Sequence, residues 1–413
     1  MKFKQFDIKF DNAQGVFNTG TSVTGTVLLS LDQPLKIKAI RIVFVGAAKA
    51  YWQRRRGKTN VSYRGDENYF YTTVKLFDPG SDSGRDHPAG NHAYPFSLQL
   101  ADTLPSSFEG TRGYVRYSCK ATIERPLAFD YNVKRAFTVI RHFDLNNFPS
   151  AQIPVSDQAT GEVYGCCGEA GEVDIHLDLN KTGFVPGEPI MYTIAVNNRS
   201  SQTVNETHLI LNQMTTYTGI SNALFSNQNP KLHPKTRKIY LLYSRDCNFK
   251  PNSSKQIQRA IIIPSLPPTG LDGCNIIDIK YNIELRVICT HVISIVKDIV
   301  IGTIPFQDSS IRFTSGAQAT PTAPVVPQPE SKSTEGLPTY EEVLTPPPSY
   351  AECMYGRTTI MDNTDDNNTS GDVNWAPAYP YYNWAAFSPQ TFGDQPPDTV
   401  NAEQSHEVDN DND

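Results

Sequence analysis

The strand pattern of residues 1–306 constrains the fold more than any other feature of the sequence. Short runs of β-branched and aromatic residues are separated by Gly, Pro and Asn, and hardly any stretch has the apolar spacing of a helix. In "KIKAIRIVFVG" and "EVDIHLDLN", apolar residues alternate with charged ones. This alternation predicts strands with one solvated face and one packed face, and therefore an all-β fold.

An internal repeat divides this region into two domains. "FNTGTSVTGTVLLSL" aligns with "FVPGEPIMYTIAV", so that Gly20 falls on Gly187. In each copy a turn that contains Gly precedes an alternating strand. We therefore predict two β-sandwiches in tandem, at residues 1–148 and 171–306, joined by a linker at residues 149–170.

The charge of the chain is divided unevenly. Residues 307–413 carry 3 Lys and Arg against 17 Asp and Glu, whereas residues 1–306 carry 34 against 26. The tail is also poor in Leu, Ile and Val and rich in Pro, Thr, Ser, Asn and Asp. Such a composition buries too little apolar surface to offset the entropy lost on ordering. We therefore expect residues 307–413 to form a disordered, Pro-rich, acidic tail.

Several long segments resemble one known family. "DQPLKIKAIRIVFVGAAKAYW" and "YPFSLQLADTLPSSFEGTRGYVRYSCKATIERP" are similar to the amino-terminal arrestin domain. "GFVPGEPIMYTIAVNNRSSQTVNETHLIL" and "IPSLPPTGLDGCNIIDIKYNIELRV" are similar to the carboxy-terminal one. With the tail phrases "LPTY" and "PPSY", they indicate a resemblance to the alpha-arrestins, or arrestin domain-containing proteins, over about residues 1–306. The resemblance implies two arrestin-type, immunoglobulin-like β-sandwich domains.

The two tail phrases carry the strongest functional signal. Each contributes three contact residues, namely Pro347, Pro348 and Tyr350 in one phrase and Leu337, Pro338 and Tyr340 in the other. Adjacent prolines favour the polyproline II conformation that docks between the aromatic rings of a WW domain, and the Tyr fills a second pocket. The alternative is chance in a Pro-rich tail, and the presence of two copies argues against it. We expect the Leu337 phrase to bind more weakly, and we interpret a looser copy, "APAY" at residues 376–379, as chance.

A second candidate site is basic. Its residues are Arg54, Arg55, Arg56 and Lys58 in the loop "WQRRRGK", and Arg116 and Lys120 in the strand region "TRGYVRYSCKATIE". The period of two in a strand places Arg116 and Lys120 on the same face. These cations suit anionic lipid headgroups or acidic receptor tails, and the alternative is a solvated surface without a ligand. We expect no nucleic acid partner, because no recognition helix or aromatic platform accompanies the charge.

Catalytic motifs are missing from the sequence. We find no nucleophile elbow, no Gly-rich phosphate loop, no His-x-x-x-His and no Cys-x-x-Cys, so we predict no enzyme activity, metal or cofactor. The seven cysteines are odd in number and form no disulfide framework. The start, "MKFKQFDIKFDN", alternates like a strand and lacks the apolar core of a signal peptide. We therefore expect a cytoplasmic protein.

The resemblance to alpha-arrestins implies an adaptor. The two sandwiches would contact the cytoplasmic parts of membrane receptors or transporters, while the tail recruits a HECT-type E3 ubiquitin ligase through its WW domains. The cargo would then be ubiquitinated, endocytosed and sorted into endosomes, with the adaptor recruited peripherally to the plasma membrane and endosomes.

Two other functions stay open at this point. One is a receptor-binding arrestin of the visual or beta type that acts as a signalling and trafficking scaffold. The missing Leu-apolar-x-apolar-acid clathrin phrase in the tail argues against it. The other is an enzyme built on a β-sandwich with a carbohydrate substrate, which the missing acid-base residues disfavour.

Overall fold

The computed structural model describes residues 3–80, 83–164, 170–221, 232–307, 359–361, 365, 369–372 and 375–382. These residues form an almost purely β structure of 21 strands and two short 3-10 turns, at Leu145–Asn147 and Pro149–Gln152. The strands are β1 (Phe3–Phe10), β2 (Val16–Asn18), β3 (Ser22–Leu31), β4 (Leu35–Ile37), β5 (Ala39–Arg56), β6 (Thr59–Phe77), β7 (Arg85–His87), β8 (Gly90–Gln99), β9 (Phe108–Gly110), β10 (Gly113–Glu124), β11 (Tyr131–Ile140), β12 (Val155–Tyr164), β13 (Ala170–Leu179), β14 (Gly183–Phe184), β15 (Pro189–Asn198), β16 (Val204–Ser221), β17 (Leu232–Phe249), β18 (Ser253–Ile262), β19 (Ile277–Ile288), β20 (Val292–Ile301) and β21 (Thr369–Gly371).

Two sandwiches follow one another along the chain, as the alternating strands and the repeat predicted. In the first domain, the sheet β1-β3-β8 packs on a sheet that contains β6-β5-β10-β11-β2. Alternate residues of β3 are buried between these sheets. The rings of Phe10, Phe17 and Phe137 meet edge to face there, with centroids 5.7 to 5.9 Å apart. In the second domain, the sheet β12-β13-β15-β18 faces a sheet that contains β14-β20-β19-β16, with β17 paired to β16.

The larger sheets of the two domains are continuous with each other. The end of β16 pairs with β6, with Ile220 opposite Arg64 and Ser221 opposite Tyr63. The Glu67 carboxylate of the first domain also accepts from the backbone N–H of Asn275 in the second, at 3.1 Å. Backbone pairing therefore joins the domains in addition to side-chain contacts.

The internal repeat is confirmed by matched local geometry. Gly20 and Gly187 both have positive φ, +75° and +89°, and each precedes the equivalent strand, β3 or β15. Two buried tyrosines form a second matched pair. The Tyr117 hydroxyl on β10 donates to the carbonyl of Pro105 at 2.7 Å, and the Tyr281 hydroxyl on β19 donates to the carbonyl of Pro267 at 2.9 Å.

Matching hydrogen bonds to side-chain hydroxyls show that β11 of the first domain is equivalent to β20 of the second. The Ser107 hydroxyl accepts from the backbone N–H of Val139 on β11, and the Thr269 hydroxyl accepts from that of Ile301 on β20. Short strands, β2 and β14, run parallel to β11 and β20 beside these residues. The pair β10–β11 of the first domain is therefore equivalent to the pair β19–β20 of the second.

The expected linker at residues 149–170 is corrected by the structure. Residues 155–164 of it form β12, which pairs with β13 along its whole length, from Val155 opposite Leu179 to Tyr164 opposite Ala170. The sequence hides this strand because β12 lies at the edge of its sheet and exposes most of its side chains. Its polar composition is that of a linker, but its backbone belongs to the second domain.

The acidic tail also differs from expectation within residues 359–382. Its described part, residues 359–361, 365, 369–372 and 375–382, is called the docked segment below. It contains β21, and it buries the side chains of Ile360, Tyr379 and Tyr382 against the body. Disorder was predicted from the average composition of the whole tail, whereas a few apolar and acidic residues with partners on the body are enough to hold this segment.

Candidate functional site

The two WW-binding phrases lie outside the described residues. Pro347, Pro348 and Tyr350, like Leu337, Pro338 and Tyr340, belong to the stretch 308–358 between the body and the docked segment. The looser third copy is different, because its Tyr379 is buried. Its hydroxyl donates to the carbonyl of Ser107 at 3.1 Å. In the docked segment this tyrosine has a structural role.

The basic loop forms the tip of the long β5–β6 hairpin. Strand pairing continues to Arg56 opposite Thr59, and Gly57 turns the chain with a φ of +63°. The side chains of Arg54, Arg55 and Lys58 are exposed at this tip. These three cations therefore lie exposed at the end of one hairpin.

Arg116 and Lys120 do lie on the same face of β10, but they have different roles. Both project from the face opposite the buried Val115, Tyr117 and Cys119. The Arg116 guanidinium donates to both carboxylate oxygens of Glu109, at 2.7 and 2.9 Å, and both side chains are largely buried. Arg116 is thus held in an internal ion pair, whereas Lys120 belongs to a second group of cations.

That group includes two residues that the sequence analysis missed. Lys134 on β11 lies directly opposite Lys120 in the antiparallel β10–β11 pair, and Arg135 follows it. The two lysines come from different strands, so their proximity depends on a register that the sequence alone does not reveal. The run Lys134-Arg135 in "NVKRAF" was the available signal. The two lysines share one face of the strand pair, whereas Arg135 is paired with Cys119 and projects from the other face. Lys120, Lys134 and Arg135 together are called the basic cluster below.

Carboxylates of the docked segment neutralise the basic cluster. Asp365, whose side chain is 1% exposed, accepts from the Lys134 Nζ at 2.7 Å and the Lys120 Nζ at 3.3 Å. Asp372 pairs with Arg135, which also binds Asp7 at 2.8 Å. Burial opposes the charge of Arg135, but the two carboxylates outweigh it and raise the pKa of this guanidinium.

The carboxy-terminal part of the docked segment contacts both domains. Tyr379 bonds Ser107 of the first domain through its hydroxyl, and its carbonyl accepts from the Ser265 hydroxyl of the second, at 3.4 Å. Tyr382 donates from its hydroxyl to the carbonyl of Thr303 at 2.7 Å and from its backbone N–H to Pro186 at 3.0 Å. One short peptide therefore bridges the two sandwiches.

The described residues contain little that suits catalysis. Burial raises the pKa of the Cys119 thiol, which keeps it protonated and unreactive. Among these residues, no three His, Cys, Asp or Glu side chains are grouped so that they hold a metal ion. The same residues include no helix long and apolar enough to cross a membrane.

Comparison with known proteins agrees with the two sandwiches. The family "Arrestin (or S-antigen), N-terminal domain" matches residues 6–146, and "Arrestin (or S-antigen), C-terminal domain" matches residues 169–306. "Arrestin domain-containing protein 17" of Caenorhabditis elegans is 33% identical over 320 residues, which cover 74% of this chain and 72% of the relative. The chain belongs to the alpha-arrestins, the arrestin domain-containing proteins.

More distant alpha-arrestins match over a similar span. "Arrestin domain-containing protein 1" of Homo sapiens is 26% identical over 326 residues, 78% of this chain and 70% of the relative. Its Mus musculus counterpart is 24% identical over 321 residues, 76% of this chain and 68% of the relative. Membership of the family supports an arrestin-type adaptor or trafficking role for this alpha-arrestin.

Proposed function

We propose that this alpha-arrestin links membrane cargo to HECT-type E3 ubiquitin ligases that carry WW domains. Its body would bind cytoplasmic parts of receptors or transporters, and its tail phrases would bind the ligase. The cargo would then be ubiquitinated, endocytosed and sorted into endosomes. On this proposal the protein is cytoplasmic and is recruited peripherally to the plasma membrane and endosomes.

One observation carries the ligase part of the proposal: a Pro-Pro-x-Tyr phrase lies between two attachments to an arrestin body. On one side, the backbone N–H of Gln307 donates to the Asn146 side chain at 2.8 Å. On the other side, the docked segment begins at residue 359, nine residues after Tyr350. A ligase bound at this phrase is tethered to the cargo-binding body, so it meets cargo lysines at a raised effective concentration.

Isolated WW domains test this part directly. Calorimetry with the full-length chain should show that Tyr350→Ala weakens binding at least tenfold, because it removes the tyrosine of the complete Pro-Pro-x-Tyr phrase. Tyr340→Ala should weaken binding less. Tyr355→Ala is the matched control, since this tail tyrosine lies outside both phrases. Unchanged binding by the Tyr350→Ala/Tyr340→Ala double variant would refute the ligase link.

The two phrases are spaced for a pair of WW domains. Tyr340 and Tyr350 are ten positions apart and span at most about 33 to 36 Å. A WW domain of about 35 residues has a diameter of roughly 22 Å, so two fit side by side. Two WW domains linked in one chain should therefore bind the wild-type protein about 100-fold more tightly than a single domain. Equal affinities would mean that the phrases are alternative sites.

The hairpin tip supports a membrane contact as part of the same proposal. Its exposed arginines and Lys58 would meet anionic headgroups and contribute about 1 kcal/mol per cation near the surface. Co-sedimentation with phosphatidylserine vesicles should fall with salt and with an Arg54→Ala/Arg55→Ala/Arg56→Ala variant. An Arg237→Ala variant is the control for charge outside the tip. Binding that neither salt nor the triple variant changes would leave the tip as a solvated surface.

A further inference from the structure

Strand β20 of the second domain has an open edge, whereas the equivalent edge of β11 in the first domain is covered. β2 pairs with the end of β11, and β21 pairs with it at residues 132–134. β14 likewise pairs with the end of β20, at Val300 and Ile301. Among the described residues, no strand pairs with the remaining edge of β20, from Val292 to Ile299.

The open edge presents a regular row of backbone hydrogen-bonding groups. The N–H of Val300 points to this edge, because it donates to the carbonyl of Thr182 beside β14 at 2.8 Å. In an antiparallel pair, the groups that point to one side recur at every second residue. The pairing of β20 with β19 has no bulge, so the N–H and C=O groups of residues 292, 294, 296 and 298 face the open edge. Such a row can pair with a further strand.

Two other edge strands of this domain carry features that discourage such pairing, and β20 lacks them. β17 contains Pro234 and several cations, and β12 exposes polar side chains. Proline and charged side chains on an edge oppose pairing with another chain. The outer face of β20 presents instead Val292, Ser294 and Val296, and the two valines are 53% and 49% exposed. An apolar face therefore accompanies the open edge.

The cation of β20 does not guard this apolar face. Lys297 is the only Lys or Arg in the strand. By the period of two, it projects from the face opposite the exposed valines. Its Nζ pairs with the Asp157 carboxylate of β12 at 2.7 Å. The charge is thus neutralised within the domain, and the valine face carries no positive charge.

The edge of β20 is complementary to itself. When two copies pair antiparallel with Ser294 opposite its own counterpart, Val292 of each chain lies opposite Val296 of the other. Cross-strand valine pairs stabilise a sheet, and no like charges oppose each other on this face, because Asp298 falls opposite Thr290. All these residues turn their backbone groups to the shared edge, so each pair exchanges both N–H···O bonds. Moving the axis by one position would place each valine opposite a polar residue.

We propose that this edge is an interface between two copies of the chain, in which β20 pairs antiparallel with β20 about a twofold axis at Ser294. The larger sheets of the two second domains then form one continuous sheet. The same patch serves both chains, so the assembly closes as a dimer. One short strand pair buries less surface than a standard interface, so the dimer is weak and requires a high local concentration. The proposal is independent of the ligase link.

Sedimentation equilibrium of the full-length chain tests the dimer. Between low micromolar and several hundred micromolar protein, the average mass should rise from that of one chain towards that of two. Val296→Lys places a cation in the centre of the apolar face and should weaken dimerisation at least tenfold. Ile262→Lys is the matched control, because this side chain is 59% exposed at the end of the edge strand β18, and it should leave dimerisation unchanged. A single-chain mass at every concentration, or equal weakening by both variants, would overturn the proposal.

Disulfide cross-linking tests the register. The Cα atoms of a hydrogen-bonded antiparallel pair are about 5.5 Å apart, a distance that a disulfide spans. Ser294→Cys should therefore form cross-linked dimers under mild oxidation at least tenfold faster than the wild type, whose native cysteines set the background. Ser156→Cys, at an exposed position of the edge strand β12, is the control and should stay at that background. Cross-linking of Ser294→Cys at the background rate would refute the twofold pairing.

A mixture of two single variants distinguishes this register from random collision. Val292→Cys and Val296→Cys chains should cross-link with each other, and each variant alone should stay at the background rate. Equal cross-linking in the mixture and in the separate samples would contradict the register. A chain that stays monomeric while its β20 amides exchange slowly would assign the edge to the chain's own tail, and would equally overturn the dimer.

Discussion

Equivalent strand pairs of the two domains carry opposite charge at the same position. Lys120 lies three residues after Tyr117, and Glu284 lies three residues after Tyr281. The residue across from Lys120 is Lys134, which is 7% exposed, whereas the residue across from Glu284 is Val296, which is 49% exposed. The more polar side chain is thus the more buried of the two, which reverses the usual preference.

The difference lies in where each buried charge finds its partner. Glu284 is paired within its own domain, with Lys238 on β17 and with Arg286 at 2.7 Å on its own strand. Lys120 and Lys134 are paired by Asp365, about 230 residues further along the chain. At this position the charge of the second sandwich is therefore balanced within its own domain, whereas that of the first is balanced by the tail.

The largest expected difference between the two domains comes from placing Glu at the two equivalent cross-strand positions, Lys134 and Val296. Lys134→Glu sets a carboxylate against the buried Asp365, so it should cost on the order of 3 kcal/mol of unfolding free energy and release the docked segment. Val296→Glu sets a carboxylate opposite Glu284, but the side chain is half exposed and Glu284 already has two cationic partners, so it should cost only about 0.5 to 1 kcal/mol. Urea unfolding of the full-length variants measures both.

A charge swap provides the control for that experiment. Adding Asp365→Lys to Lys134→Glu restores an opposite pair, and it should recover part of the lost stability and of the slow exchange in β11. Equal losses for Lys134→Glu and Val296→Glu, or no recovery in the swap, would show that the tail does not complete the first domain.

The internal pairing of the second domain predicts a pH dependence. Burial opposes ionisation of Glu284, but hydrogen bonds from Arg286 and Lys238 outweigh it and lower the pKa of this carboxyl. A lowered folded-state pKa stabilises the fold above the unfolded pKa, and this stabilisation is lost as the pH falls through the folded value. Glu284→Gln should cost about 1.5 to 3 kcal/mol at pH 7 and less as the pH falls below 4.5.

Urea midpoints of the wild type and Glu284→Gln at several pH values check this prediction. Glu162→Gln is a matched control, because this carboxylate lies on the exposed edge strand β12. A difference between wild type and Glu284→Gln that grows towards low pH would have the wrong sign and would exclude the assigned partners.

The two matched glycines sharpen the comparison at the docked segment. Both Gly20→Ala and Gly187→Ala force a positive φ on a residue with a Cβ, which costs about 1 to 2 kcal/mol in each domain. Their neighbours differ. The new Cβ at position 20 meets the side chain of Asp102, whereas that at position 187 meets the backbone of Tyr382. Gly187→Ala alone should therefore raise hydrogen exchange in the docked segment, and a similar rise in Gly20→Ala would argue against a direct contact.

The smallest expected difference concerns the matched tyrosines. Removing the hydroxyl leaves a buried proline carbonyl without its donor, so Tyr117→Phe should cost about 1 kcal/mol. The Tyr281 hydroxyl additionally accepts from the Gln213 side chain at 3.0 Å, so Tyr281→Phe should cost somewhat more. Thermal unfolding of both variants shows which one loses more stability. A larger loss for Tyr117→Phe than for Tyr281→Phe would contradict the added contribution of the Gln213 hydrogen bond.

The repeat and the strand alternation predicted the body well. Periodicity indicates which face of a strand is packed. The alignment of Gly20 with Gly187 indicates two turns whose backbone requires a positive φ, which glycine adopts without strain. Neither pattern predicts the edge strand β12, because its exposed polar side chains are also typical of a linker. Composition averaged over the tail likewise hides a segment that depends on Asp365 and two tyrosines.

The basic residues show a different limit of sequence reasoning. Arg116 and Lys120 share a face, as period two requires, but whether a charge is available depends on partners elsewhere in the chain. Arg116 forms an ion pair with Glu109 on the neighbouring β9, and Lys120 forms one with Asp365 of the tail. The face formed with Lys134 depends on the register of β10 against β11, which one sequence without the structure does not give.

The position of the docked segment limits how far a ligand of Tyr350 stands from the body. While the segment is bound, Tyr350 is nine positions from Thr359, and this length of chain spans at most about 30 to 32 Å. When the segment leaves, the connection runs instead through 43 residues from Gln307, with a maximum span of about 150 Å. Attachment of this one segment thus reduces the maximum volume within reach of a bound enzyme by about a hundredfold, and with it the set of lysines that the enzyme can modify.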